Sequence, residues 1–164
     1  MNRRLRPVAL LVSMLALAGC GVQPSQVQQG PEAPTGLAPG STLYFLDDGG
    51  DLVAQERQTR RLGSIQEAVS LLLTGPGSSG LGTGIAETAV RTTPVTLGEE
   101  IISVRLPLAT PEVDSDGVDQ IVCTVLATHI QAGGSPAMQV RLTFTDIPAS
   151  STDPRTGPRS CPVL

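Results

Sequence analysis

The chain has 164 residues, 40% hydrophobic but only 2% aromatic, with 18 glycines and 14 prolines, a size for one domain with flexible flanks. Its eleven basic residues are all arginine, set against fifteen acids for a formal net charge of −4. One tyrosine and two phenylalanines give no basic, aromatic stripe on which bases stack, so nucleic acid is excluded as a partner.

The chain opens with Arg3, Arg4 and Arg6, followed by an apolar run over 8–18 that only Ser13 interrupts. At about 1.5 Å per residue that run is too short to cross a hydrocarbon core of about 30 Å, but it has the layout of a secretory signal peptide. Leu17-Ala18-Gly19 then leads into Cys20, which resembles the bacterial lipobox, whose cysteine is acylated as the segment before it is cut away. The expected organisation is a lipoprotein signal peptide over 1–19 and a Pro/Gly-rich tether over 20–41. A domain over 42–147 and a polar tail over 148–164 complete it. Two or three acyl chains on Cys20 would anchor the protein stably to the extracytoplasmic face of the cell membrane. Loss of the three leading arginines leaves eight against fifteen acids, a balance of −7, and little attraction to anionic lipid.

Cys20 is one of three cysteines. Its lipidation leaves Cys123 and Cys161 as an even pair in an exported chain, where oxidation is favoured, and they are read as a disulfide. Two separate buried thiols are the alternative.

The domain begins with an apolar strand over 41–46, a turn at Asp47-Asp48-Gly49-Gly50-Asp51, and a more alternating return to about residue 58. Ser64-Ile65-Gln66-Glu67 has the spacing of a capping box. Ile65, Ala68, Val69, Leu72 and Leu73 follow at helical intervals until Gly75-Pro76, which predicts a helix over 64–74. Residues 89–97 and 100–108 read as two strands joined at Gly98-Glu99. A second helix is expected from about Asp116, with Asp119 in its first turn and an apolar stripe of Val118, Ile121, Val122, Val125, Leu126 and Ile130 ending at Gly133-Gly134. Residues 137–144 close the domain as a strand with Met138, Val140, Leu142 and Phe144 on one face. The order β(β)-α-β-β-α-β is an α+β fold with two helices on a small mixed or antiparallel sheet.

Little in this order carries chemistry. Gly75-Pro76-Gly77-Ser78-Ser79-Gly80 matches G-x-G-x-x-G, but a helix precedes it and strands follow, the reverse of a dinucleotide-binding frame, so no cofactor is expected. With no lysine, a P-loop and a Ser-Lys dyad are excluded. His129 is the only histidine. Its spacing sets it near the centre of the second helix's apolar face, as a core or boundary histidine rather than a base. The acids at 47, 48 and 51 and at 114, 116 and 119 read as turn and capping residues, with no closing glutamate for a calcium loop. No metal site is expected from one histidine without Cys-x-x-Cys spacing.

Three motifs carry a family likeness: Tyr44-Phe45 with Leu52-Val53, the run from Ala68 to Leu73 ending in Thr74-Gly75-Pro76, and Gln120 to Val125. Together they resemble the GerMN domain, the sporulation and spore germination family, over about 42–145. The chain departs from that pattern at GTGIAETAVRTTP (82–94), lacks a glycine after the last strand, and has Cys123 where an aromatic is common. The resemblance implies a fold similar to the ring-building modules of envelope assemblies and no catalytic residues. The expectation is therefore a lipid-anchored envelope protein whose non-catalytic module binds an envelope protein or a second copy. The alternative is a small ligand-binding or hydrolytic envelope lipoprotein using His129.

Overall fold

The computed structural model describes residues 40–148, 151 and 153–164. The expected signal segment, Cys20 and the tether as far as residue 39 lie outside the described residues. Seven main elements follow in order: β1 (Gly40–Leu46), β2 (Leu52–Gln58), α1 (Ile65–Leu72), β3 (Val95–Leu97), β4 (Ile101–Arg105), α2 (Ser115–Gln131) and β5 (Gln139–Thr143). The fold is α+β, as read from the sequence, and its strands fall into two groups, a β1–β2 pair and a three-stranded β3–β4–β5 sheet.

β1 and β2 form an antiparallel hairpin in register from Gly40 opposite Gln58 to Leu46 opposite Leu52. The Asp47 carboxylate closes its turn by accepting from the N–H groups of Gly49 at 2.8 Å and Asp51 at 3.0 Å, the local hydrogen bonding that favours aspartate in turns. Leu43 and Phe45 are fully buried, and the Arg57 guanidinium lies 5.9 Å from the Phe45 ring centre. Because β1 begins at Gly40, the last two residues assigned to the tether belong to the strand.

α2 is the centre of the domain. Its sequence shows one apolar stripe, yet every residue from Gly117 to Thr128 except Asp119 is buried. The polar members of that run are bonded to other elements or to the helix itself. Tyr44 N–H donates to Thr124 Oγ1 at 3.0 Å, and Gln120 Nε2 donates to the Tyr44 carbonyl at 3.1 Å. Gln120 Oε1 accepts from Gly84 N–H at 2.8 Å and Thr83 Oγ1 at 3.3 Å, and Thr128 Oγ1 donates to the Thr124 carbonyl at 2.8 Å. Side chains of α2 thus satisfy the edge of β1 that faces away from β2, where another sheet would gain a third strand. Further along the same edge, Leu46 exchanges two backbone hydrogen bonds with Gly82.

The 82–86 segment also sits on the start of α2. Asp114 N–H donates to the Gly84 carbonyl at 3.0 Å. A Cβ on Gly84 would lie 2.5 Å from the nitrogen of Gly117, and one on Gly117 would lie 2.3 Å from the oxygen of Gly84. Only glycine permits that approach. The helix begins at Ser115 with Asp114 as N-cap, its carboxylate accepting from Gly117 N–H. Asp116 occupies the first turn, and Asp119 lies one turn further in than the sequence pattern suggested. Its carboxylate instead reaches the tail, 4.0 Å from Arg159.

β4 pairs antiparallel with β3 and parallel with β5, so β4, α2 and β5 form a β-α-β crossover. Met138, Val140, Leu142 and Phe144 are all buried. The strand expected over 89–97 is only Val95–Leu97. Pro94 has no N–H for a ladder, and the residues before it are strapped over α1 instead. Ser70 Oγ donates to the Arg91 carbonyl at 2.6 Å, and Thr93, fully buried, reaches the Gln66 carbonyl at 3.5 Å. The helix expected over 64–74 runs Ile65–Leu72 between Ser64 as N-cap and Leu73 as C-cap.

The tail is tied down. Arg159 and Val140 exchange backbone hydrogen bonds of 2.8 Å in both directions, placing the tail along the outer edge of β5. Cys161 meets Cys123 of α2, with sulfurs 2.00 Å apart and Cα atoms 4.8 Å apart. Arg155 donates to the Thr110 carbonyl at 3.2 Å.

Reduction of the Cys123–Cys161 pair opens a loop of 38 residues and should lower stability by about 2–4 kcal/mol, read as a shift in the urea midpoint with and without dithiothreitol. Gln120→Ala leaves the buried Tyr44 carbonyl and Gly84 N–H without their partner. It should cost about 3 kcal/mol in the same measurement, whereas a change below about 0.5 kcal/mol would show that the bridge contributes nothing.

Candidate functional site

A groove of about 440 Å³ runs along the outer side of α1. Ser41 of β1 forms its inner end, and the loop after β2 supplies Thr59, Arg61 and Gly63. The exposed turns of α1 bring Gln66, Glu67, Ser70 and Leu71, and the strap brings Arg91. The parts are distant in sequence and meet because the hairpin and the strap both pack against one short helix.

The loop after β2 holds its conformation at a cost. Arg60 has φ of 65°, in the left-handed region that residues with a Cβ seldom adopt. Thr59 Oγ1 donates across this kink to the Arg61 carbonyl. The kink turns the Arg61 side chain toward α1, where its guanidinium donates to Glu67 Oε1 at 2.7 Å. The other carboxylate oxygen accepts from Ser64 N–H at 2.7 Å, while Ser64 Oγ accepts from Glu67 N–H at 3.2 Å, completing the capping box. The Ser64 backbone N–H, then the Arg61 guanidinium and the Ser64 hydroxyl, hold the Glu67 carboxyl below the usual carboxylate range. A carboxylate so engaged is poorly placed to accept a proton from a ligand.

Ser41 is different. It is 0% exposed, and among the described residues its Oγ has no hydrogen-bond partner. A Cβ on Gly63 would stand 3.2 Å from that hydroxyl. Ser70 and Thr74 have both used their hydroxyls on backbone carbonyls, of Arg91 and Leu71 respectively. Arg91 is exposed and, among the described residues, has no carboxylate within ion-pair distance. It also borders a smaller hollow of about 170 Å³ with Leu72, Thr83 and Glu87. The groove therefore carries two guanidiniums against one carboxylate, a few uncommitted hydrogen-bonding groups and apolar surface from Leu71. Such a set offers hydrogen bonds and one guanidinium to a ligand, while its one acid is already engaged by Arg61 and Ser64.

The residues singled out from the sequence lie elsewhere. Cys20 is outside the described residues, and Cys123 and Cys161 are brought together between α2 and the tail. His129 was placed near the centre of the α2 apolar face, but it is only half-buried and sits in the last turn. The chain reverses at Gly133, with φ of 84°, and the imidazole lies against Gly134, where a Cβ would come within 2.2 Å of the ring. His129 does not line the groove. Asp47 and Asp114 have turn and capping roles. Among the described residues no three His, Cys, Asp or Glu side chains gather to hold a metal ion, and no helix is long and apolar enough to cross a membrane.

Ser41, Arg61 and Arg91 had no place in the sequence reading. The one local signal was the arginine-rich run at Arg57, Arg60 and Arg61, which ends in the kink. No family model matches the chain, and no curated protein or solved structure matches it either.

Since the folded state lowers the Glu67 pKa, its ionised form adds stability at neutral pH that is lost as acid drives the pH through that lowered value. Glu67→Gln keeps a capping side chain but no charge. Its melting temperature should lie below that of the parent at neutral pH, with the gap closing on acidification. A gap constant from neutral to strongly acidic pH would contradict this.

Proposed function

We propose that the chain is an exported lipoprotein, held at the extracytoplasmic face of the cell membrane by an acylated Cys20, whose folded domain is a non-catalytic binding module. The observation that carries this reading is the N-terminal sequence itself: three arginines, a short apolar run and Leu17-Ala18-Gly19-Cys20 in the order and spacing of a lipobox signal. The polar, proline- and glycine-rich stretch after Cys20 suits a tether that holds a domain off the bilayer. The bonded pair Cys123–Cys161 fits an oxidising compartment.

Three features of the domain support a binding role. The motifs at Tyr44-Phe45, Ala68–Pro76 and Gln120–Val125 resemble those of the GerMN family, whose modules act by interaction. The groove on α1 offers arginine, hydroxyl and amide groups while its carboxylate is engaged. His129, on which the hydrolytic alternative depends, sits in the last turn of α2 and does not line the groove. The partner on this reading is an envelope protein or a second copy, recognised without chemical change.

Replacement of the anchor residue is the direct test. Cys20→Ser should move the protein from the membrane fraction to the soluble or secreted fraction and abolish incorporation of labelled palmitate. Retention in the membrane with labelling unchanged would sink the anchored reading. Cross-linking in intact cells should recover the same envelope partner from the anchored chain under repeated growth conditions.

A further inference from the structure

The groove on α1 can be read more closely than as a binding surface in general. Its inner end holds Ser41, fully buried, whose hydroxyl lacks a partner among the described residues. Buried hydroxyls are nearly always hydrogen-bonded, to protein or to ordered water, so one without a protein partner at the end of a groove marks a place for a water or a ligand oxygen. At the rim Arg61 is neutralised by Glu67 at 2.7 Å, whereas Arg91 has no carboxylate partner among the described residues. The surplus is one positive charge on a planar guanidinium, which suits a monoanion bound in a fork and does not balance a dianion. Leu71 and the arginine stems supply apolar surface, and the Gln66 amide stands on the rim. The volume of about 440 Å³ falls within the range of ligand pockets.

We infer that this groove takes the end of a peptide chain, with its terminal carboxylate on Arg91 and the Ser41 hydroxyl and an apolar last side chain against Leu71. The Gln66 amide bonds a peptide group one residue back. A plain acyl chain would meet the charge and the apolar surface but leave the hydroxyl and the amide unpaired along its length. Inorganic phosphate would bring excess negative charge and no apolar body. The inference builds on the reading of the domain as a binding module and is independent of the lipid on Cys20.

The test uses the full chain in detergent and a set of fluorescein-labelled hexapeptides ending in Ala, Val, Leu or Phe. Each peptide is made both with a free carboxylate and as the amide, and fluorescence anisotropy is the readout. At least one free-acid peptide should bind saturably, its amide at least tenfold more weakly, and neither decanoate nor phosphate should displace it at equal concentration. Arg91→Gln should weaken binding at least tenfold, while Arg141→Gln, at an exposed side chain of β5, leaves it unchanged. Ser41→Ala should weaken binding severalfold while the melting temperature holds or rises. Binding of none of the peptides, equal binding of acid and amide, or displacement by decanoate or phosphate would overturn the inference. So would Ser41→Ala raising the melting temperature with affinity intact, which marks a merely buried hydroxyl. Failure here leaves Cys20 fractionation and cell cross-linking to judge the anchored-module reading separately.

Discussion

The architecture depends on the way α2 receives β1. A strand with only one neighbour exposes a row of N–H and C=O groups, and inside a core each unpaired group carries a desolvation penalty. Here Gln120 and Thr124 take that row on, one amide and one hydroxyl from successive turns of a helix. The second end of the Gln120 amide reaches the Thr83-Gly84 backbone, so one side chain joins a strand, a loop and a helix that are far apart in sequence. The two sheets can then remain separate, each packed against α2. The mutual approach of Gly84 and Gly117 follows from the same requirement, because the loop must come close to the helix for its N–H to reach Gln120.

The tail applies the same logic to the other sheet. β5 would be an open edge after its pairing with β4, and Arg159 covers it through a two-way backbone exchange with Val140. The Cys123–Cys161 bond then links that cover to the buried helix. Polar residues over 153–160 that could not form a core alone are held by three different attachments: the backbone exchange, the sulfur bond and the Arg155 contact with Thr110. With few aromatics in the chain, such cross-links replace part of the packing that large rings supply elsewhere.

Features encoded over a few neighbouring residues were legible in the sequence. The turn at Asp47, the Ser64–Glu67 capping box, the stop at Gly75-Pro76 and the alternation through Met138 and Phe144 all rest on contacts within a turn or a strand. The misread features depend on distant partners. Val90, Thr92 and Thr93 have strand-like side chains, but Pro94, the Arg91 carbonyl that accepts from Ser70 and the Thr93 hydroxyl that donates to Gln66 draw that stretch away from the sheet. Gln120, Thr124 and Thr128 look like the solvated side of an amphipathic helix, and only β1 and the 83–84 loop reveal why they are inside. The groove was the least legible part. Ser41, Arg61 and Arg91 come from three separate segments, and no spacing links them. His129 takes the boundary position of the core-or-boundary reading, since two glycines after the helix give it a shallow seat near the surface although a helical wheel points it inward.

The first rung of the hairpin has a mechanical meaning. Whatever lies ahead of residue 40 is joined to the domain at Gly40, which is paired with Gln58, and the next residue is Ser41 at the inner end of the groove. The direction of any load arriving at Gly40 decides its effect: a pull across the hairpin would open it one rung at a time, whereas a pull along β1 would load all its rungs together. In the first case the Gly40–Gln58 and Ser41–Arg57 pairs would be the first to open. Contacts made in the groove lie beside the point where such tension enters, so occupancy there and resistance to peeling share the same few residues.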